Sequence, residues 1–137
     1  MKIESKTGTS PYPEESIYKF VSDFRNFNKF IPEEAVSDWE ASEEQCMFKM
    51  DLLGKVELKI IEKEPFKLVK IVSNPDVSQY NFNLWIQIKS VGPRESKIKV
   101  TIEPLINAIM LGMVKSHLKK FVDSLVEEVE KFKFPDQ

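Results

Sequence analysis

One cysteine, one histidine and four glycines are all this sequence offers of the residue types on which many reactive and cofactor-binding sites are built. Cys46, being alone, excludes an internal disulfide. The single histidine, His117, removes most zinc sites, and without a G-x-S-x-G elbow it supports no serine triad. A Cys46 and His117 pair would need a base in reach and an oxyanion pocket, and the pattern displays neither. Lys115, Lys119 and Lys120 surround His117 in the chain. They point to an exposed or helix-edge position, with gating of a cavity as the sharper reading. The glycines at 8, 54, 92 and 112 are too scattered to build a phosphate-cradling loop or a dinucleotide fingerprint, so no cofactor is expected.

A dominant charge sign is also missing. Twenty Lys and Arg stand against 22 Asp and Glu, for a net charge of −2, and the basic residues form no run, so nucleic acid is not an expected partner. The carboxylates of EAVSDWEASEEQ and EEVEKF read as solvated faces, because no spacing marks a general acid and base. No catalytic residue and no metal ligand is assigned. The longest apolar run, Leu105 to Val114, is interrupted by Asn107 and falls far below the roughly 20 residues that cross a bilayer. The N-terminal MKIESKTG has no apolar signal-peptide core, which makes the cytoplasm the expected location. With 42% hydrophobic residues in 137, one core is expected, and residues 1–137 read as a single domain.

What is present is a sequence of clear periodicities. Lys2 to Thr7 places Ile3, Ser5 and Thr7 on one side, as in a strand with one solvated face. Pro13 suits the first turn of a helix, Glu14 and Glu15 favour its positive end, and Ile17, Phe20 and Val21 cover one side with Tyr18 at its edge. Asp23 is placed to cap a second short helix carrying Phe24, Phe27, Phe30 and Ile31 before Pro32. Alternation then predicts strands near 35–41, 45–51, 55–63, 67–73, 79–91 and 95–103, separated by turn-forming residues. Tyr80, Phe82, Leu84, Ile86 and Ile88 share an apolar face, as do Ile98, Val100 and Ile102. Trp85 stands on the polar side and calls for a neighbouring element or partner to cover it. From Pro104 a single long helix is expected to about Phe132. Its second half carries the stripe Leu118, Phe121, Val122, Leu125, Val129, Phe132, with i,i+4 pairs Lys119–Asp123 and Glu127–Lys131 outside it. Its first half is apolar around most of its circumference, so more than one side should avoid water.

The segment Pro13 to Phe24, followed by Phe27, Phe30, Ile31 and Pro32, resembles the opening of the START and birch-pollen-allergen-like (SRPBCC) superfamily, which includes the polyketide cyclases. The order of strand, two short helices, six strands and long helix is similar to that family's over nearly the whole chain. The resemblance implies an α+β helix-grip fold: a curved antiparallel seven-stranded sheet gripping the C-terminal helix. It also implies binding of lipids, polyketides or similar apolar molecules between sheet and helix.

The candidate ligand-binding residues are Trp39, Phe48, Met50, Leu58, Tyr80, Phe82, Leu84, Ile86, Met110, Met113 and Val114. Tyr80, Trp39 and Asn107 are the polar handles. The plain alternative is that these side chains fill the core, with Met as gap filler. An eight-to-ten-carbon ligand would gain roughly 6–8 kcal/mol by burial, against an association cost of at least about 4. The expected function is therefore binding of a small hydrophobic molecule. One alternative is an interaction module or homodimer with a filled cavity. The other is a cyclase- or hydrolase-type enzyme using Tyr80, His117 or Glu103.

Overall fold

The computed structural model describes residues 1–30, 34, 36–50, 54–78 and 80–134. Its strands are β1 (Ile3–Glu4), β2 (Gly8–Ser10), β3 (Ser37–Ala41), β4 (Gln45–Met50), β5 (Gly54–Glu64), β6 (Leu68–Ser73), β7 (Phe82–Gly92) and β8 (Glu95–Pro104). Two α-helices, α1 (Glu14–Val21) and α2 (Ala108–Lys131), and a 3-10 helix over Phe24–Lys29 complete it. The sheet is antiparallel in the order β1-β8-β7-β6-β5-β4-β3, with β2 continuing β1 along β8. The expected helix-grip architecture is what the chain adopts. Ile31, Pro32, Ala35, Asp51 and Gln79 of the expected elements lie outside the described residues.

The first strand comes in two pieces because Ser5 changes its bonding. Its amide donates to the Val100 carbonyl at 2.8 Å, and its hydroxyl oxygen accepts from the Val100 amide at 2.9 Å. Ile3 and Ser5 face inward as expected, but Thr7 is exposed. Across the wide central strands alternation holds: Phe82, Leu84, Ile86 and Ile88 of β7 and Ile98, Val100 and Ile102 of β8 are all buried. Their apolar faces give the sheet its inner surface. The tight β5–β6 turn holds Phe66 at φ 68°, an unfavourable region for an aromatic residue. The ring lies edge-on to Tyr18 of α1 at 5.7 Å, a contact that offsets part of the strain.

Helix α2 starts later than the apolar run suggests. Pro104 is the last residue of β8, paired opposite Phe82. The helix begins at Ala108, where the Asn107 side-chain oxygen accepts from the Met110 amide at 2.8 Å. Asn107 is thus a cap, satisfying one of the first-turn N–H groups. A polar seam ties the far half of α2 to the first strand. The Lys6 amide donates to Asp123 at 2.8 Å, the Thr9 amide to Glu130 at 2.8 Å, and the Lys119 ammonium to the Glu4 carbonyl at 2.8 Å. Lys119 and Asp123 form their expected pair at 3.2 Å, whereas Glu127 turns to Lys6 at 2.9 Å. Beyond α2, Phe134 is buried among Tyr12, Phe20 and Phe30. Among the described residues, no helix is long and apolar enough to cross a membrane.

Candidate functional site: an apolar cavity beneath the long helix

Where the inner surface of the sheet passes under α2, the two layers do not fully close. A cavity of about 90 Å³ remains. Its floor is Phe48, Leu58, Ile71, Phe82, Leu84 and Ile102, one or two inward-facing residues from each of β4 to β8. Its roof is Val114, His117, Leu118, Phe121 and Leu125, which recur at three- and four-residue intervals along one side of α2. Phe27, Trp39 and Met50 close the end toward β3. Trp39 stacks on Phe48, ring centroids 5.3 Å apart and planes 27° from parallel. Buried Phe48 thereby fixes a half-buried Trp39 at the margin of the sheet.

The wall is nearly all carbon, and among the described residues its one titratable side chain is His117, which is exposed at the rim. Cys46 is buried in β4 and is not part of this wall, and no hydrogen bond joins it to His117 among the described residues. Burial pushes its thiol up to about 12. Glu103 accepts from the Asn83 side-chain amide at 3.1 Å. Both belong to the face of β7 and β8 that alternates with the cavity floor.

Seven of the residues picked from the sequence line the cavity: Trp39, Phe48, Met50, Leu58, Phe82, Leu84 and Val114. Tyr80 borders a neighbouring void of about 20 Å³ with Asn81, Pro104 and Ile106. Phe82, Val114 and Leu118 border both voids and so form the partition between them. Ile86 is buried in the sheet away from the cavity. Met110 is half-buried and Met113 is 69% exposed, and neither lines either void. The first half of α2 thus has one sheltered side, contrary to expectation, and Ile109 is 79% exposed. Sequence reasoning left out Phe27, Ile71, Ile102, Leu118, Phe121 and Leu125, although the last three belong to the stripe already recognised on α2. Laying that stripe over the middle of the sheet would have found them.

No protein-family model and no curated protein matches the sequence. Solved structures do match. A conserved protein from Geobacillus kaustophilus superposes with a TM-score of 0.74 at 12% identity, over 96% of this chain and 93% of that one. Truncated norcoclaurine synthase from Thalictrum flavum gives 0.70 at 14% identity, over 97% and 95%. A START superfamily protein from Mycobacterium smegmatis gives 0.65 at 14% identity, over 93% and 98%. Likeness at such low identity speaks to architecture: the chain has the START and birch-pollen-allergen-like helix-grip fold.

Proposed function

We propose that residues 1–137 form a single cytoplasmic helix-grip domain that binds a small hydrophobic molecule, of lipid, polyketide or isoprenoid type, between the sheet and α2. One observation carries this reading: a carbon-walled space of about 90 Å³ lies at the centre of the fold. Protein interiors are otherwise packed like organic crystals. An empty apolar cavity costs stability that an apolar guest restores, and a space of roughly 150 Å³ suffices to take up benzene.

Size constrains the guest. Drug-sized ligands occupy pockets of roughly 300–1,000 Å³, so such a molecule does not fit the space as it stands. Burial of about four methylenes would gain roughly 3 kcal/mol, short of the association cost of at least about 4. Useful affinity therefore requires a ligand that extends further. The partition of Phe82, Val114 and Leu118 is the economical route, because its movement joins the cavity to the void beside Tyr80 and Asn81. Tyr80 then becomes the polar contact at the far end and His117 the one at the rim.

The name of the norcoclaurine synthase keeps a synthase-type reading in view. Here such chemistry would have to run on His117 at the rim or Tyr80 beside the smaller void, since Glu103 belongs to the other face of the sheet. General acid–base chemistry would then rest on one exposed imidazole and a phenol beyond the partition, with no carboxylate among the described residues of the cavity wall. Binding without transformation is the better-supported function.

The test is mass spectrometry of small molecules retained by the purified protein, together with titration of an apolar fluorophore. Saturable fluorescence, displaced by lipid- or polyketide-like compounds and abolished by cavity-filling Val114→Trp with unchanged circular dichroism, is the expected result. Absence of any retained molecule together with no saturable fluorophore binding would overturn it.

A further inference from the structure

The described residues include six exposed large hydrophobic side chains, and three of them, Leu105, Ile109 and Met113, fall within nine positions at the start of α2. Ile109 and Met113 are one turn apart on the outward side, the side away from the sheet. Continuing along that side at helical spacing come Ser116 and then Lys120, both exposed. Lys115 is exposed on the flank of the helix, about a quarter-turn around from Ser116. The helix is therefore graded along its axis: an apolar tip, then a basic collar. From Pro104 to Val122 there is no acidic residue at all.

We infer that this tip is a docking surface for anionic lipid bilayers, with Leu105, Ile109 and Met113 entering the interface while Lys115 and Lys120 meet the lipid phosphates. Interfacial helices bind in this way, by apolar insertion plus attraction of Lys and Arg to anionic headgroups. The net charge of −2 does not oppose it locally. Much of the negative charge on α2, at Glu127, Glu128 and Glu130, lies about 20 residues beyond Ile109, roughly 30 Å along the helix. That exceeds the screening length of about 8 Å at physiological salt. A second copy of the chain is a poorer occupant. Three aliphatic side chains are too few for the roughly 800 Å² per partner of a stable pair.

Vesicle binding by this tip does not depend on an occupied cavity. The docked segment continues directly into Val114, His117 and Leu118 of the cavity roof.

The experiment is co-flotation of the full chain with vesicles of phosphatidylcholine alone and of phosphatidylcholine mixed with phosphatidylglycerol, at low and high salt. Binding to the mixed vesicles is expected, with loss at high salt and little binding to the neutral ones. Ile109→Asp with Met113→Asp, and separately Lys115→Glu with Lys120→Glu, should each weaken binding at least about tenfold. All four positions are exposed or solvent-facing, so unchanged thermal unfolding serves as the folding control. No flotation with anionic vesicles, or flotation indifferent to both pairs of substitutions, would overturn the inference. Concentration-dependent self-association abolished by the aspartate pair, without vesicle binding, would reassign the tip to a second copy of the chain.

Discussion

Gly8 of β2 lies so close to Val126 of α2 that a β-carbon added at Gly8 would collide with the Val126 Cγ1 atom and press within 3.0 Å of the Glu130 side chain. Glycine is required here for space, because the first strand and last helix approach each other directly. Val126 is fully buried and Glu130 accepts the neighbouring Thr9 amide, so neither can easily retreat. Gly8→Ala should destabilise by about 1–3 kcal/mol, the usual range for overpacking. Denaturant unfolding checks this, and combining it with Val126→Ala should cost less than the two changes summed. Strict additivity would mean the close approach is not the cause.

Cys46 makes a probe of the β4 region. Its thiol, pushed up to about 12 by burial, is almost entirely protonated at pH 8, and only the thiolate is nucleophilic. Alkylation of the native chain by iodoacetamide should therefore be slow and should accelerate with denaturant as the sheet opens. Rapid modification without denaturant would indicate that β4 opens locally.

The strands and the helical stripe were legible because alternation and 3.6-residue spacing record burial directly. β7 and β8 illustrate this, with the expected inward residues from Phe82 to Ile88 and Ile98 to Ile102 all buried. Apolar character, by contrast, is not proof of burial. Leu105 to Val114 looked buried on several sides, yet Ile109 and Met113 face solvent, since composition alone does not tell a core from a contact surface. Pro104 looked like a helix start, but its place opposite Phe82 in β8 is a matter of register between distant strands. Trp85, on the polar side of its strand, calls for an element or a partner to cover it. The Lys2 and Lys70 ammonium groups instead approach its ring at 4.7 and 5.3 Å, one from β6 and one from the N-terminus. The cavity was legible only in part, because a void is a mismatch of volumes across layers and leaves no mark on the period of any one strand.

Asp23 gives a pH-dependent contribution. A hydrogen bond from the Arg25 guanidinium, at 2.6 Å, holds its carboxyl below the usual carboxylate range, with the Arg25 amide adding a second donor at 2.9 Å. The same carboxylate caps the 3-10 helix. Because the folded-state value is depressed, the contribution is fully present above the unfolded value of about 3.9 and is lost as pH falls through the folded one. Thermal unfolding of the wild type and Asp23→Asn should differ most near neutral pH, where loss of the charged acceptor for Arg25 costs up to about 1 kcal/mol, and converge in acid as pH falls through the depressed folded value. A difference that stays constant down to pH 2 would rule out this account.

Leu118 tests the partition that limits ligand size. It is buried, lines both voids, and projects from α2 between Phe82 of the sheet and Val114 one turn earlier on the helix. Leu118→Ala removes three side-chain carbons from the wall and should join the two spaces. The cost in stability is about 2–5 kcal/mol, set by how far the neighbours relax into the gap. The same change should favour longer guests, since each further methylene that enters the joined space contributes roughly 0.8 kcal/mol, about a fourfold gain in affinity. Displacement of an apolar fluorophore by a series of straight-chain alcohols of increasing length measures both ends of the claim. The wild type should lose its gain per methylene at a shorter chain than the variant. A plateau at the same length in both proteins would mean that the void beside Tyr80 is not an extension of the cavity.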